Sequence, residues 1–82
     1  MNDLHLKWEV VENEDGRVVY QLHCPTYSFP VGGVVDYTPA VPPYEAIVRL
    51  PLVDRKWFED LQEAQQFVTA QFMSYLIKRA SK

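Results

Sequence analysis

Histidine and cysteine side chains are the first candidates for chemistry, and the chain has two histidines and one cysteine. His23 and Cys24 are adjacent in a segment that alternates apolar and polar residues, as a β-strand does. Adjacent side chains of a strand point to opposite faces, so these two cannot act as a nucleophile and its base. His5 and His23 share the outer face of the predicted sheet, but a structural zinc site needs four ligands and no thiolate lies there. The sequence therefore predicts no metal site and no cofactor.

Carboxylates and glycines supply the other patterns that could support catalysis. Glu59 and Asp60 precede a predicted helix, where negative charge stabilises the amino-terminal end. The acidic residues between positions 12 and 15 belong to a predicted turn. Gly32-Gly33 lacks both phosphate-binding spacings, GxxxxGK[ST] and GxGxxG. Since a chain of 82 residues also leaves little room for a substrate pocket, we predict that the protein is not an enzyme.

Length, charge and cysteine usage narrow the class of protein further. The 82 residues predict a single domain over 1–82, with a net charge of −3 that disfavours a nucleic-acid partner. No apolar stretch reaches the roughly 20 residues that span a bilayer, which predicts no membrane association. The opening residues, MNDLHLKW, lack the basic start and apolar core of a signal peptide. A lone cysteine cannot form an internal disulfide, and we therefore predict a cytoplasmic protein.

Two alternating segments, LHLKWEVVE and RVVYQLHC, predict an antiparallel hairpin. The inward residues of the first strand are Leu4, Leu6, Trp8 and Val10. A three-residue loop ending at Gly16 pairs Trp8 with Leu22 and Val10 with Tyr20, which brings both apolar sets to one face. A two-residue loop would place them on opposite faces. The sequence thus predicts the longer loop, with Gly16 in the left-handed conformation.

A third strand and a long helix complete the predicted fold. YEAIVRL alternates as a strand, whereas VDRKWF fits either a fourth strand or an approach to the helix. Asp60 is the expected N-cap, with Glu63 three residues later. The apolar helix stripe comprises Leu61, Ala64, Val68, Phe72, Tyr75 and Leu76, and the basic end comprises Lys78, Arg79 and Lys82. We predict an α+β fold, in which a three- to four-stranded antiparallel sheet packs on one long C-terminal helix in the order β-β-(long loop)-β-α.

The proline-rich apolar segment 25–43 holds five of the six prolines and a single charge, Asp36. A flexible linker would be more polar. We expect either a lid packed over Val11, Val19 and Ile47, or an arm that docks on a partner. Within it, a small hairpin is expected to turn at Gly32-Gly33, and PAVPP is expected to adopt polyproline II.

More apolar surface is present than a small sheet and one helix can bury, including a second helix set of Ala70, Met73, Ile77 and Ala80. We therefore predict a small non-enzymatic protein-binding module, such as an inhibitor, an adaptor or an antitoxin-like regulator of phage or mobile-element type. Its partner would be another protein or a second copy of itself. The predicted partner-binding residues are Tyr27, Phe29, Val34, Val35, Tyr37, Met73 and Ile77.

The alternative is a nucleic-acid-binding accessory domain that uses scattered basic side chains. These are Lys7, Arg49, Arg55, Lys56, Lys78 and Arg79. Stacking on bases requires aromatic rings on the outer sheet face. The alternation instead directs Trp8, Tyr20 and Tyr44 toward the helix, which disfavours this alternative.

Two short segments, WEVVENEDG and FEDLQEAQQFV, carry a resemblance to known families. Their order resembles the N-terminal domain of HicB-type antitoxins and the arm-type DNA-binding domain of phage integrases. The resemblance covers about a quarter of the chain. The proline-rich insertion departs from the first family and the acidic charge from the second, and no functional residue is carried over.

Overall fold

The computed structural model describes residues 5–80, which form an antiparallel sheet with one helix on one face. The elements are β1 (Lys7–Glu12), β2 (Val18–His23), β3 (Gly32–Asp36), β4 (Tyr44–Val48), β5 (Asp54–Phe58) and α1 (Leu61–Ala80). The strands lie side by side in chain order. The predicted α+β class is confirmed, but the prediction of three to four strands is wrong, because the sheet has five. Leu4 and Lys82 lie outside the described residues.

The β1–β2 hairpin has the predicted register. Trp8 pairs with Leu22 and Val10 with Tyr20. The Asn13 carbonyl accepts a hydrogen bond from the Gly16 amide at 3.0 Å, and Gly16 has a φ of 78°. A residue with a side chain adopts that conformation at a cost, so glycine is the residue that suits this position.

The strand β3 is central, and the predicted turn at Gly32-Gly33 is wrong. Gly32 pairs with both Leu22 and Val48, so it lies between two strands. A β-carbon on Gly32 would lie 2.5 Å from Val68 Cγ1, and one on Gly33 would lie 2.8 Å from the Tyr20 carbonyl oxygen. The glycines therefore permit a close approach of helix and strands, which is the other common use of glycine in a strand.

The remainder of segment 25–43 forms compact connections. The Tyr37 amide donates to the Pro43 carbonyl at 2.7 Å and the Ala40 amide to the Tyr37 carbonyl at 2.9 Å, which closes the β3–β4 loop. The predicted polyproline II rod is therefore absent from residues 39–43. Val31, just before β3, is buried, and its amide donates to the Leu22 carbonyl. The segment neither covers the sheet as a lid nor leaves it as an arm, because its middle is part of the sheet.

The ambiguous segment VDRKWF contains β5, an edge strand. Phe58 pairs with Tyr44, and its ring lies 5.4 Å from that of Phe67 on the helix. The preceding residue, Trp57, points to the opposite face. This alternation places one aromatic residue of β5 in contact with α1 and the next on the uncovered side of the sheet.

The helix begins and packs as its sequence predicts. The Asp60 carboxylate accepts a hydrogen bond from the Glu63 amide at 3.2 Å, as an N-cap does. α1 packs against β3, β4 and β5. The buried core comprises Leu22, Cys24, Val31, Val34, Ala46, Val48, Ala64, Val68 and Phe72. Within residues 5–80, α1 lacks the apolar character that a membrane-crossing helix needs.

Candidate partner-binding face

The face of the sheet opposite α1, called here the open face, carries a row of residues that crosses all five strands. Successive pairs in the strand register define the row as Val11, Val19, Val35, Glu45 and Trp57. The three valines are half-buried, and Trp57 is 46% exposed. A second row beside the first comprises Glu9, Gln21, Gly33, Ile47 and Arg55. The open face thus has an aliphatic centre with polar side chains around it.

An aromatic cluster lies at the β5 end of the row. The Tyr37 and Trp57 rings are 5.3 Å apart between centroids, at an interplanar angle of 42°. The Arg17 guanidinium carbon lies 4.6 Å from the Tyr37 ring centroid, within cation–π distance. Tyr37 follows β3 and Arg17 precedes β2, so the sheet register brings these two loop residues together. The cluster offers a partner one exposed ring, that of Trp57.

Glu45 is a buried carboxylate between Val35 and Trp57, on the β5 side of the aliphatic centre, with only 6% of its surface exposed. Arg55 Nη1 lies 3.5 Å from Glu45 Oε2, which partly compensates the charge. Burial and, next, the negative charge of Glu45 raise the pKa of the Tyr37 hydroxyl above its ordinary value. Arg55 and Tyr37 therefore both lie close to the Glu45 carboxylate. The carboxylate is enclosed rather than presented to a partner.

A shallow depression of about 70 Å3 lies over Gly33. Its rim includes Val19, Val35 and Ile47 from the sheet, together with Pro30 and Arg49. The depression exists because Gly33 contributes no side chain to the open face. It is large enough for part of one apolar side chain of a partner and too small for a substrate site.

Basic side chains outnumber acidic ones on the open face, although the whole chain has a net charge of −3. The cations are Lys7, Arg17, Arg49 and Arg55. The carboxylates are Glu9, which lies 3.1 Å from His23 Nε2, and Glu45. Within residues 5–80, no carboxylate lies within ion-pair distance of Lys7, Arg17 or Arg49. The face therefore has an excess of positive charge around an apolar centre.

His23 and Cys24 have different surroundings in the structure. His23 Nε2 contacts Glu9 Oε1 at 3.1 Å and Gln21 Oε1 at 3.2 Å. Cys24 is a buried free thiol. No group of three potential metal-ligating side chains occurs in the described part of the chain.

The structure separates the seven predicted partner-binding residues into three locations. Val34 is fully buried against Tyr20 and Ala46, so it cannot contact a partner, and its prediction as a partner-binding residue is wrong. Its neighbour Val35 lies on the open face, as does Tyr37. Strand alternation is the reason for this difference, because successive side chains point to opposite faces.

The other four lie near the C-terminal half of α1. The Tyr27 ring packs edge-on against Phe72 at 5.9 Å and Phe29 at 5.6 Å, and its hydroxyl accepts a hydrogen bond from Arg79. Phe29 is partly exposed. Met73 and Ile77, which is 66% exposed, lie on the outer side of the helix. These residues do not join the open face, so the predicted set is not one surface.

Sequence reasoning missed Trp57, Arg17 and Glu45 as parts of the face. One sequence signal was available for Trp57, because it is directly followed by a second aromatic residue, Phe58, in the segment DRKWF. If VDRKWF is taken as a strand paired with YEAIV, one of its two aromatic residues must point away from the helix. Arg17 and Glu45 become recognisable only when the register between β2, β3 and β4 is known.

Comparison with known proteins finds no family model that matches the chain, and neither a curated protein nor a solved structure that matches it.

Alkaline titration gives a test of the packing around this face and under α1. Burial is the first cause that raises the pKa of Tyr27, Tyr37 and Tyr44 above 10.0. The unfolded chain therefore loses these protons at lower pH than the native protein does. The contribution of these protonated hydroxyls to the free energy of unfolding is therefore fully present below pH 10 and is expected to decline as pH rises further.

The measurement is tyrosinate absorbance against pH for the native and the denatured protein. The native curve should lie at higher pH, and Tyr37→Phe should remove part of the difference. Superimposable native and denatured curves would show that the tyrosines are not enclosed.

Proposed function

We propose that the protein is a small non-enzymatic protein-binding module that contacts its partner through the open face. It would act in the cytoplasm as an inhibitor, an adaptor or a regulator of the antitoxin-like kind. The observation that carries the proposal is an apolar strip of Val11, Val19 and Val35, continued beyond Glu45 by Trp57, on a sheet face that no element of residues 5–80 covers. An uncovered apolar patch with a polar rim is typical of protein interaction sites.

The composition of the face supports a protein partner. Trp57 is an exposed aromatic residue at the end of an aliphatic strip, and tryptophan, tyrosine and arginine are the residues that most often supply interface energy. Tyr37 and Arg17 pack against one another beside it, and Arg55 is held by Glu45. These contacts restrict the side chains before binding, which lowers the entropy lost when a complex forms.

The outer side of α1 is the second surface that the proposal leaves open. Met73 and Ile77 are exposed there and belong to the surplus apolar set of the helix. The exposed aromatic residue nearest to this surface is Phe29, which contacts α1 only through the Tyr27 ring. We assign it a secondary contact, or the contact between two copies of the chain.

Paired variants on the two surfaces test the assignment. Affinity capture from the native host would use the wild type, a Tyr37→Ala/Trp57→Ala variant and a Met73→Ala/Ile77→Ala variant, with captured proteins identified by mass spectrometry. We expect the open-face variant to weaken binding of the main partner by about 30-fold, because an aromatic anchor contributes on the order of 2 kcal/mol. The helix variant should retain the partner.

Sedimentation and capture together distinguish a second copy of the chain from another protein as the partner. Sedimentation velocity of the three proteins at high concentration shows whether any partner is a second copy. If the wild type is a monomer and both variants capture the same proteins as it does, the open face is not an interface and the proposal fails.

A second function, binding of single-stranded nucleic acid, has one specific observation in its favour. The exposed Trp57 ring shares a face with Arg17, Arg49 and Arg55, and single strands bind to rings and cations arranged on a sheet. Titration of oligothymidylate against the protein at several salt concentrations tests it, because phosphate contacts weaken steeply with salt. Tight binding at low salt that Trp57→Ala abolishes would favour this function.

A further inference from the structure

The open face carries cations at both ends of its aliphatic centre, and their separation can be read from the strand register. The β2–β3 register places Arg17 beside Tyr37, in agreement with its contact on that ring. The Arg49 amide donates to the Val31 carbonyl, which places Arg49 beside residue 31. Positions 31 and 37 are six residues apart along β3, or about 20 Å at 3.3 Å per residue, and the offset of about 10 Å between β2 and β4 raises the diagonal only to about 22 Å.

Aliphatic side chains occupy the space between these two arginines. Val19, Val35 and Ile47 surround the depression over Gly33, and Arg49 forms part of its rim. Arg17 and Arg49 lack a carboxylate within ion-pair distance among residues 5–80. A partner that only filled the aliphatic centre would bring two uncompensated guanidinium groups near the edge of the interface, which costs affinity.

We infer that the occupant of the open face is an acidic protein segment with aliphatic residues between two carboxylates. One aliphatic side chain enters the depression over Gly33, and the carboxylates pair with Arg17 and Arg49. The spacing of about 20 Å corresponds to six residues in an extended segment or about 13 in a helix. This inference rests on the proposed function, because it identifies the partner of the same face.

A nucleic acid fits the same face less well. The region between the cations offers valine and isoleucine rather than flat rings, and bases bind by stacking on rings. Tyr37 already has Arg17 on its ring, which leaves Trp57 as the exposed ring of the face. The net charge of −3 also repels a continuous row of phosphates more than it repels two local carboxylates.

A random peptide display library tests the inference without knowledge of the natural partner. The library is selected on the folded wild-type protein, and recovered peptides are labelled and measured by fluorescence anisotropy at several salt concentrations. We expect the recovered peptides to carry two acidic residues about six or about 13 positions apart with aliphatic residues between them. Their affinity should fall as salt rises.

Two double variants that change the net charge by the same amount distinguish the loss of Arg17 and Arg49 from a general effect of net charge. Arg17→Glu/Arg49→Glu should weaken binding of the recovered peptides by about tenfold or more, because it replaces attraction by repulsion at both ends. Lys78→Glu/Arg79→Glu changes the exposed end of α1 and should alter the affinity by no more than about twofold. Circular dichroism of both variants confirms that the fold is retained.

The outcomes distinguish this inference from the proposed function. Recovered peptides that lose affinity with Trp57→Ala but are neutral or basic would overturn the acidic partner and leave the open face as a protein-binding site. Peptides whose affinity responds to neither Trp57→Ala nor the arginine variant would overturn both. Failure to recover any peptide also overturns the inference, and binding of oligothymidylate in that case would indicate the nucleic-acid function.

Discussion

Val34→Lys is expected to unfold the domain. Val34 is 0% exposed, lies between the sheet and α1, and pairs with Tyr20 and Ala46 on neighbouring strands. A lysine there cannot extend its amine to water without displacing the helix. A charge buried without a partner costs several kcal/mol, whether the amine stays charged or gives up its proton. A small domain has a total stability on the order of 5 kcal/mol, so most molecules should be unfolded.

The adjacent substitution, Val35→Lys, is the matched control. Val35 lies on the open face beside Glu45, so the new amine can reach water and lies next to a carboxylate. We expect this variant to remain folded and to lose no more than about 1 kcal/mol. Circular dichroism and urea denaturation of the two variants provide the measurement. A folded, cooperatively unfolding Val34→Lys protein would show that Val34 is not enclosed between the sheet and α1.

This pair of residues also shows what the sequence can and cannot predict. The alternation of apolar residues within KWEVVE and within VVYQLH was enough to predict the β1–β2 register, because a slip of one residue would place the two apolar sets on opposite faces. β3 pairs on both edges, and its sequence, GGVVD, lacks alternation. Its strand character depends on contacts with β2 and β4, which are distant in sequence. Which of Val34 and Val35 faces α1, and which lies on the open face, therefore could not be predicted without those contacts.

The candidate site is less predictable than the fold for a similar reason. The surplus of apolar surface was predicted from the composition, and Met73 and Ile77 are indeed exposed. The open face itself combines residues from five strands and four loops. Arg17 and Trp57 are 40 positions apart in the sequence, yet both pack on Tyr37. The order of strands in the sheet determines which distant residues form such a cluster. A single sequence shows that order only where the turns between strands are short.

A substitution at Gly32 is expected to have the second large effect on stability, because the absence of a β-carbon there lets α1 lie close to β3. A β-carbon at Gly32 would lie 2.5 Å from Val68 Cγ1 and 2.8 Å from the Ile47 carbonyl oxygen. Val68 is fully buried and β-branched, so its side chain has few other rotamers. We expect Gly32→Ala to lower the free energy of unfolding by about 3 kcal/mol, as overpacking at a buried position does. Gly16→Ala, at an open turn with positive φ, should cost about 1 kcal/mol.

A double-mutant cycle with Val68→Ala tests whether the close approach of strand and helix is the cause. Val68→Ala alone leaves a cavity and should destabilise the protein by about 2 kcal/mol. In the Gly32→Ala background the same change also removes Cγ1 from the path of the new β-carbon, so its cost should be smaller by about 1 kcal/mol or more. Additive costs would show that α1 does not press against β3 at Gly32. In that case the position of the helix, and with it the assignment of the opposite face as the uncovered one, would be wrong.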